Sequence, residues 1–146
     1  LQLVAEITTE TFHEFSLAAI KNNIRFLQIY DYRWKCWLFP YFRSTQNNNK
    51  ENIDLSISNL LKIQLSTKYI AQAKHCKYSV SDGVYKIYNH KLYMIRLDEL
   101  PEYMDKDEFE IRDKVFKWLS IGEMEEDFDI KAKNEEVKAF VKKRWC

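Results

Sequence analysis

The chain has 146 residues, enough for one domain that buries roughly two-thirds of its unfolded surface. Its 23 basic and 22 acidic residues leave a formal charge of +1, which excludes a polyanion-coating protein and confines any phosphate site to a local patch. With only two glycines, Gly83 and Gly122, neither G-x-G-x-x-G nor a P-loop can be written, whereas aromatics are dense at 15%.

The first forty residues are rich in β-branched and aromatic side chains broken by short polar stretches. This predicts strands near Leu1 to Thr8, Phe15 to Lys21, Ile24 to Tyr30 and Trp37 to Phe42, with Lys21-Asn22-Asn23 as a hairpin turn. Ser44 to Lys50 reads as a polar loop. A helix follows, because Ile53, Ile57, Leu60, Leu61 and Gln64 recur at helical spacing; Leu65 extends its apolar face, and Asn49 or Asn52 is the candidate N-cap.

Alternation returns through Tyr69 to Lys74, Lys77 to Val80, Val84 to Tyr88 and Lys91 to Leu97, with turns at Ser81-Asp82-Gly83 and Asn89-His90. A meander is the simplest reading. Beyond Pro101 comes an acidic connector, then a strand over Glu108 to Leu119 and a short helical turn from Gly122 to Asp127. A final helix starts near Asn134, with Val137, Phe140, Val141 and Trp145 as its apolar stripe. Glu135 and Glu136 at its start and Lys142, Lys143 and Arg144 at its end suit the helix dipole.

Cys36, Cys76 and Cys146 are odd in number and scattered, which suits a reducing compartment and buried inert thiols. His75-Cys76 makes a poor catalytic pair, because adjacent strand residues face opposite ways. No C-x-x-C or His/Cys cluster suggests zinc, and no cofactor is expected. The chain lacks a run of about 18 apolar residues, so no signal peptide or membrane span is expected within it. A start at Leu1 rather than methionine reads as a fragment of something longer.

The order of strand pair, W-x-F-P (Trp37 to Pro40), loop, helix, meander and K-W-L-S-I-G-E-M (Lys117 to Met124) resembles a Nudix domain along nearly the whole chain. That resemblance implies an α/β fold: a single domain with a mixed, curved β-sheet flanked by helices. The Nudix box, G-x5-E-x7-R-E-U-x-E-E-x-G-U, is not kept. Tyr41 and Phe42 stand where its glycines fall, and setting its helical part on Asn59 to Ser66 puts Asn59 at the arginine and Leu60, Ile63 and Gln64 at the three glutamates. Glu51 and Asp54 are the only carboxylates between Pro40 and Gln72. Because Mg²⁺ needs carboxylate oxygens, the expectation is a domain that is not an enzyme.

Degenerate domains of this kind are similar to the SMODS-associated Nudix domain of bacterial CBASS anti-phage effectors. The likeness implies a cytoplasmic sensor for a cyclic di- or trinucleotide, one that forms homo-oligomers and controls a transmembrane segment at the inner membrane that this chain does not contain. Long nucleic acid is not an expected partner.

A nucleotide needs cations for its phosphates and rings for its bases. Tyr30 to Arg43 holds both kinds. On one continuous strand Trp37, Phe39, Tyr41 and Arg43 would share a face, with Arg33 and Trp34 nearby. Tyr85, Tyr88, His90, Lys91, Tyr93 and Arg96 on the meander form a second cluster, of which Tyr88, His90 and Arg96 are expected to face the same cleft as those residues. These nine residues form the expected ligand site, and each has a plain alternative: the aromatics as core, the arginines as solvated surface charges, His90 as a turn residue. His13 and His75 have less to recommend them. Two other functions remain open from sequence: a phosphohydrolase using displaced carboxylates such as Glu51, Glu99 or Glu123, and a protein-interaction module.

Overall fold

The computed structural model describes residues 12–44, 49–79 and 82–145, so the expected strand at Leu1 to Thr8 lies outside the described residues. Its strands are β1 (Phe12–Asn22), β2 (Arg25–Asp31), β3 (Cys36–Leu38), β4 (Tyr41–Arg43), β5 (Lys68–Ser79), β6 (Val84–Arg96), β7 (Glu108–Ile111) and β8 (Lys114–Ser120). The α-helices are α1 (Asn49–Leu61), α2 (Ile121–Glu126), α3 (Phe128–Lys133) and α4 (Glu135–Trp145).

The eight strands of the described residues join one mixed sheet, six of them in the order β5-β6-β1-β2-β8-β7, with β3 and β4 off this path. β1 lies parallel to β6 along ten residue pairs, from Phe12↔Ile87 to Lys21↔Arg96. β1 and β2 pair only beside their turn, at Lys21↔Phe26 and Asn22↔Arg25, and then diverge. The fork is filled by β4 against β1 and β3 against β2.

Phe39 and Pro40 bridge the fork, and the Ala18 N–H donates to the Pro40 carbonyl at 2.9 Å. Proline has no N–H to extend a ladder, so the expected strand Trp37 to Phe42 is two short strands instead. This break positions the candidate residues, since it brings the β2–β3 turn and β4 together at the mouth of the fork.

Each face is covered. Ala18, Ile20, Leu27, Tyr93, Phe116 and Trp118 pack against Ile53, Ile57 and Leu61 of α1. On the opposite face Leu17, Ala19, Phe26, Leu92 and Met94 meet Met124, Ile130, Val137, Phe140 and Val141 of α2 to α4. Alternation along β1 therefore supplies both layers, and each fully buried aliphatic contributes roughly 1.5–3 kcal/mol.

Several expected boundaries move. α1 ends at Leu61, where Lys62 turns to φ 62° and the Tyr103 hydroxyl donates to the Leu61 carbonyl at 2.6 Å. Ile63, Gln64 and Leu65 thus lie beyond the helix, while Asn49 and Asn52 fall inside its first turn. β5 and β6 are each one long strand: Asn89 and His90, expected as a turn, are mid-strand, and Asn89 is 2% exposed. The strand expected over Glu108 to Leu119 is a hairpin turning at Arg112, φ 58°. α4 has the expected stripe, with Val137, Phe140 and Val141 buried and the Trp145 ring 5.5 Å from Phe26.

Candidate functional site

A cavity of about 490 Å³ opens between the sheet and the C-terminal helices. Its floor is laid by parallel strands: His13, Phe15 and Leu17 from β1 beside Lys86, Tyr88 and His90 from β6. Register sets these rings side by side. His13 pairs with Tyr88, the rings stacking at 5.3 Å, and Phe15 pairs with His90 at 6.2 Å. Phe15 also meets the Tyr41 ring edge-on at 5.7 Å.

One wall is the β2–β3 turn, organised by Asp31. Its Oδ1 accepts from the Arg33 and Trp34 backbone N–H groups at 2.9 and 2.8 Å, and its Oδ2 accepts from the Tyr41 hydroxyl at 3.2 Å. This is the local turn chemistry that aspartate favours. Lys35 closes the turn at φ 57° and donates its N–H to the Asp31 carbonyl at 2.7 Å. Lys133 of α3 donates to the Trp34 carbonyl at 2.8 Å, tying the turn to the helical layer.

The far wall is Asn134, Glu136 and Val137, with Glu136 ion-paired to Lys77 of β5 at 2.9 Å. Lys86 pairs with Asp82. Arg33 and Arg43 are exposed, and among the described residues neither has an ion-pair partner. The guanidiniums of Arg33 and Arg43 thus stand at one end of the cavity without direct ion pairs, with the Asp31 carboxylate engaged by backbone N–H groups and the Tyr41 hydroxyl beside them.

Burial, reinforced by the nearby charges of His75 and Lys77, lowers the His90 pKa from 6.5 to about 4, so this imidazole is neutral near pH 7. Burial and the Asp31 carboxylate raise the Tyr41 phenol. Burial likewise raises the Cys36 thiol, which fits an inert buried cysteine. Cys76 differs from expectation: it is exposed.

Seven of the nine residues singled out in the sequence line this cavity: Arg33, Trp34, Phe39, Tyr41, Arg43, Tyr88 and His90. Phe39 is only 1% exposed and packs edge-on against Phe26 at 5.8 Å, so it is as much core as wall. Trp37 and Arg96 are elsewhere. The break at Pro40 upsets the alternation that would have put Trp37 beside Phe39, and Leu38 lines the cavity in its place while Trp37 packs on Tyr30 at 5.1 Å. Arg96 shares the alternation of Tyr88 and His90 but sits six residues beyond His90, about 20 Å along the strand, over the Trp145 ring.

Sequence reasoning missed His13, Phe15, Lys77, Lys86 and Lys133. Non-local packing brings them in: the parallel pairing of β1 with β6 for His13, Phe15 and Lys86, the pairing of β5 with β6 for Lys77, and the docking of α3 on the β2–β3 turn for Lys133.

The aligned Nudix-box positions lie on the other side of the fork. Leu60 borders a smaller cavity of about 280 Å³ with Tyr30, Asp31, Pro40, Tyr41 and Phe42, while Ile63 and Gln64 fall past the end of α1. Burial would raise the Asp54 pKa, but hydrogen bonds from Lys50 and Thr67 outweigh it and hold this carboxylate below its ordinary range. Glu51 and Glu99 are exposed on separate elements, and Glu123 closes a capping box with Ser120 at the start of α2. Among the described residues no group of three or more His, Cys, Asp or Glu is placed to hold a metal ion.

No protein-family model and no curated protein matches the sequence. Solved structures do match the fold. A MutT protein from Methanosarcina mazei Go1 superposes with a TM-score of 0.62 at 12% identity, covering 94% of this chain and 97% of that one. The Nudix domain of Shewanella oneidensis NrtR complexed with ADP-ribose gives 0.58 at 8% identity, covering 96% and 97%. An Ap4A hydrolase from C. elegans gives 0.55 at 13% identity, covering 90% and 95%. At such identities the likeness speaks to architecture alone: the chain has a Nudix-like fold.

Proposed function

We propose that this chain is a non-catalytic sensor domain that binds a nucleotide in the cavity between β1, β6 and the C-terminal helices, with a cyclic di- or trinucleotide as its signal. The observation that carries the reading is one cavity joining two guanidiniums, without ion-pair partners among the described residues, to a floor of rings, while Leu60, Ile63 and Gln64 occupy the aligned carboxylate positions. A volume near 490 Å³ falls within the roughly 300–1,000 Å³ of small-molecule sites. Arginine supplies bidentate phosphate contacts, and aromatic rings stack on bases for about 1 to 3 kcal/mol each. A structure of the same fold, the Nudix domain complexed with ADP-ribose, supports a nucleotide derivative as the ligand class.

Occupancy on this reading biases packing between protomers and controls an attached transmembrane effector segment in anti-phage defence. Among the described residues no helix is long and apolar enough to cross a membrane, so the reading assigns that segment to a longer polypeptide. A thermal-shift screen with cyclic di- and trinucleotides tests it, since ligand at one hundred times its Kd adds about 2.7 kcal/mol to stability. At least one member is expected to raise Tm by several degrees with and without Mg²⁺. A flat response to every nucleotide rejects the proposal, and Mg²⁺-dependent cleavage of ADP-ribose to AMP and ribose 5-phosphate rejects its non-catalytic part.

A further inference from the structure

Two imidazoles, His13 and His90, line the cavity floor, and a third, His75, lies behind them against His90 at 5.5 Å; none makes a hydrogen bond among the described residues. His13, His75 and His90 come from β1, β5 and β6, with His13 and His75 both in register with Tyr88. His13 Nε2, His75 Nε2 and His90 Nδ1 are buried with no partner, and among the described residues no hydrogen bond reaches any of the three rings. Buried polar atoms of this kind are rarely left without a partner, a bound molecule or ordered water included, in folded proteins.

A metal is the first alternative, and the geometry disfavours it. His75 and His90 are neighbours at 5.5 Å, but His13 lies across the Tyr88 ring, so the three do not converge on a point. His90 is also kept uncharged by burial, which makes the floor a poor seat for phosphate. A neutral imidazole presents one donor and one acceptor, the complement of a nucleobase edge.

Charge is divided accordingly. Lys77 and Lys86 beside the histidines are neutralised by Glu136 and Asp82, while Arg33 and Arg43 at the other end have no counter-ion among the described residues. Arg43 pairs with Phe15, which pairs with His90, placing the Arg43 and His90 backbones two strand spacings apart, about 10 Å. A nucleoside together with the reach of an arginine side chain spans that distance.

We infer that the cavity is polarised, with a nucleobase seated at the His13/His90 end and its phosphate at Arg33 and Arg43, and that His13 and His90 set base specificity. This rests on the nucleotide reading above. The test is calorimetric titration of cyclic di-AMP, cyclic di-GMP and cyclic di-UMP, three ligands of identical backbone, at 50 and 200 mM salt.

The intact chain should discriminate among them by tenfold or more. His13→Phe and His90→Phe, which keep a ring against Tyr88 and Phe15, should bring the three affinities within about threefold and leave the salt dependence unchanged. His90→Asn, which keeps hydrogen-bonding capacity, should retain part of the preference. Arg33→Ala with Arg43→Ala should weaken all three by a common factor and flatten the salt dependence. Equal affinities in the unaltered chain, or histidine variants that keep its ratios, overturn the inference while leaving nucleotide binding intact. Failure of all three to bind, with binding of another nucleotide from the wider screen, overturns base reading at this site. Failure of every nucleotide removes the parent reading as well.

Discussion

Asp31 is the residue on which the positioning of the arginine wall depends. Its carboxylate fixes the Arg33 and Trp34 backbone and holds the Tyr41 hydroxyl, so one side chain orients three lining residues. Asp31→Ala should weaken nucleotide binding about threefold to tenfold through lost preorganisation, with Asp31→Asn close to the original because its carbonyl still accepts at the turn. Titration calorimetry of the two variants checks this. His90 makes a second prediction at the same scale. Its folded pKa of about 4 lies below the ordinary 6.5, so the unfolded chain takes up a proton first as pH falls. Stability is full above pH 6.5 and declines toward pH 4, by up to about 3 kcal/mol. The charged and titratable groups that act on this ring are His75, Lys77 and Glu136. Urea unfolding at pH 7 and 4.5 should show that decline, and His90→Phe should reduce it. Arg33, Trp34, Tyr41 and Arg43 were legible from sequence because a local turn and one short strand carry them. His13 and Phe15 were not, because nothing near them in the chain announces a parallel partner.

At the scale of elements, the sheet separates stability from binding. α1 covers the face opposite the cavity and inserts Ile57, which is fully buried. Ile57→Ala should cost about 2–5 kcal/mol of unfolding free energy while leaving ligand affinity within about twofold under native conditions. Chemical denaturation and titration of the same sample check both halves. Ser120→Ala, which removes the capping box at α2, should cost about 1 kcal/mol, also without touching the cavity. The periodic elements were readable: the stripe of α4, the apolar face of α1 and the alternation in β5 and β6 all follow from side-chain spacing. Polar residues inside long strands are where sequence and structure part. Asn89 resembles a turn residue, yet its amide is buried mid-strand, donating to Glu14 and Gln72 at 3.2 Å each. Proline at position 40 was visible, but its consequence, a fork between β1 and β2 that β3 and β4 fill, depends on contacts far apart in the chain.

For the whole molecule, both faces of the sheet carry helices, but the larger cavity lies on only one of them. The overall charge is near zero, and the two arginines without ion-pair partners among the described residues both line that cavity. Overall architecture was legible because the order of elements survives where the motif residues do not. The cavity itself was legible only as a mixture of arginine and rings, since it forms only once β6 is laid beside β1. The central claim is that this cavity holds a nucleotide and leaves it intact. Its most direct test is calorimetric titration of the chain with cyclic di- and trinucleotides in excess Mg²⁺, followed by chromatography of the recovered ligand. The account predicts saturable one-site binding of at least one member, unchanged when EDTA replaces Mg²⁺, with the ligand recovered whole. Absence of binding across the panel, or recovery of cleaved ligand only when Mg²⁺ is present, would contradict it.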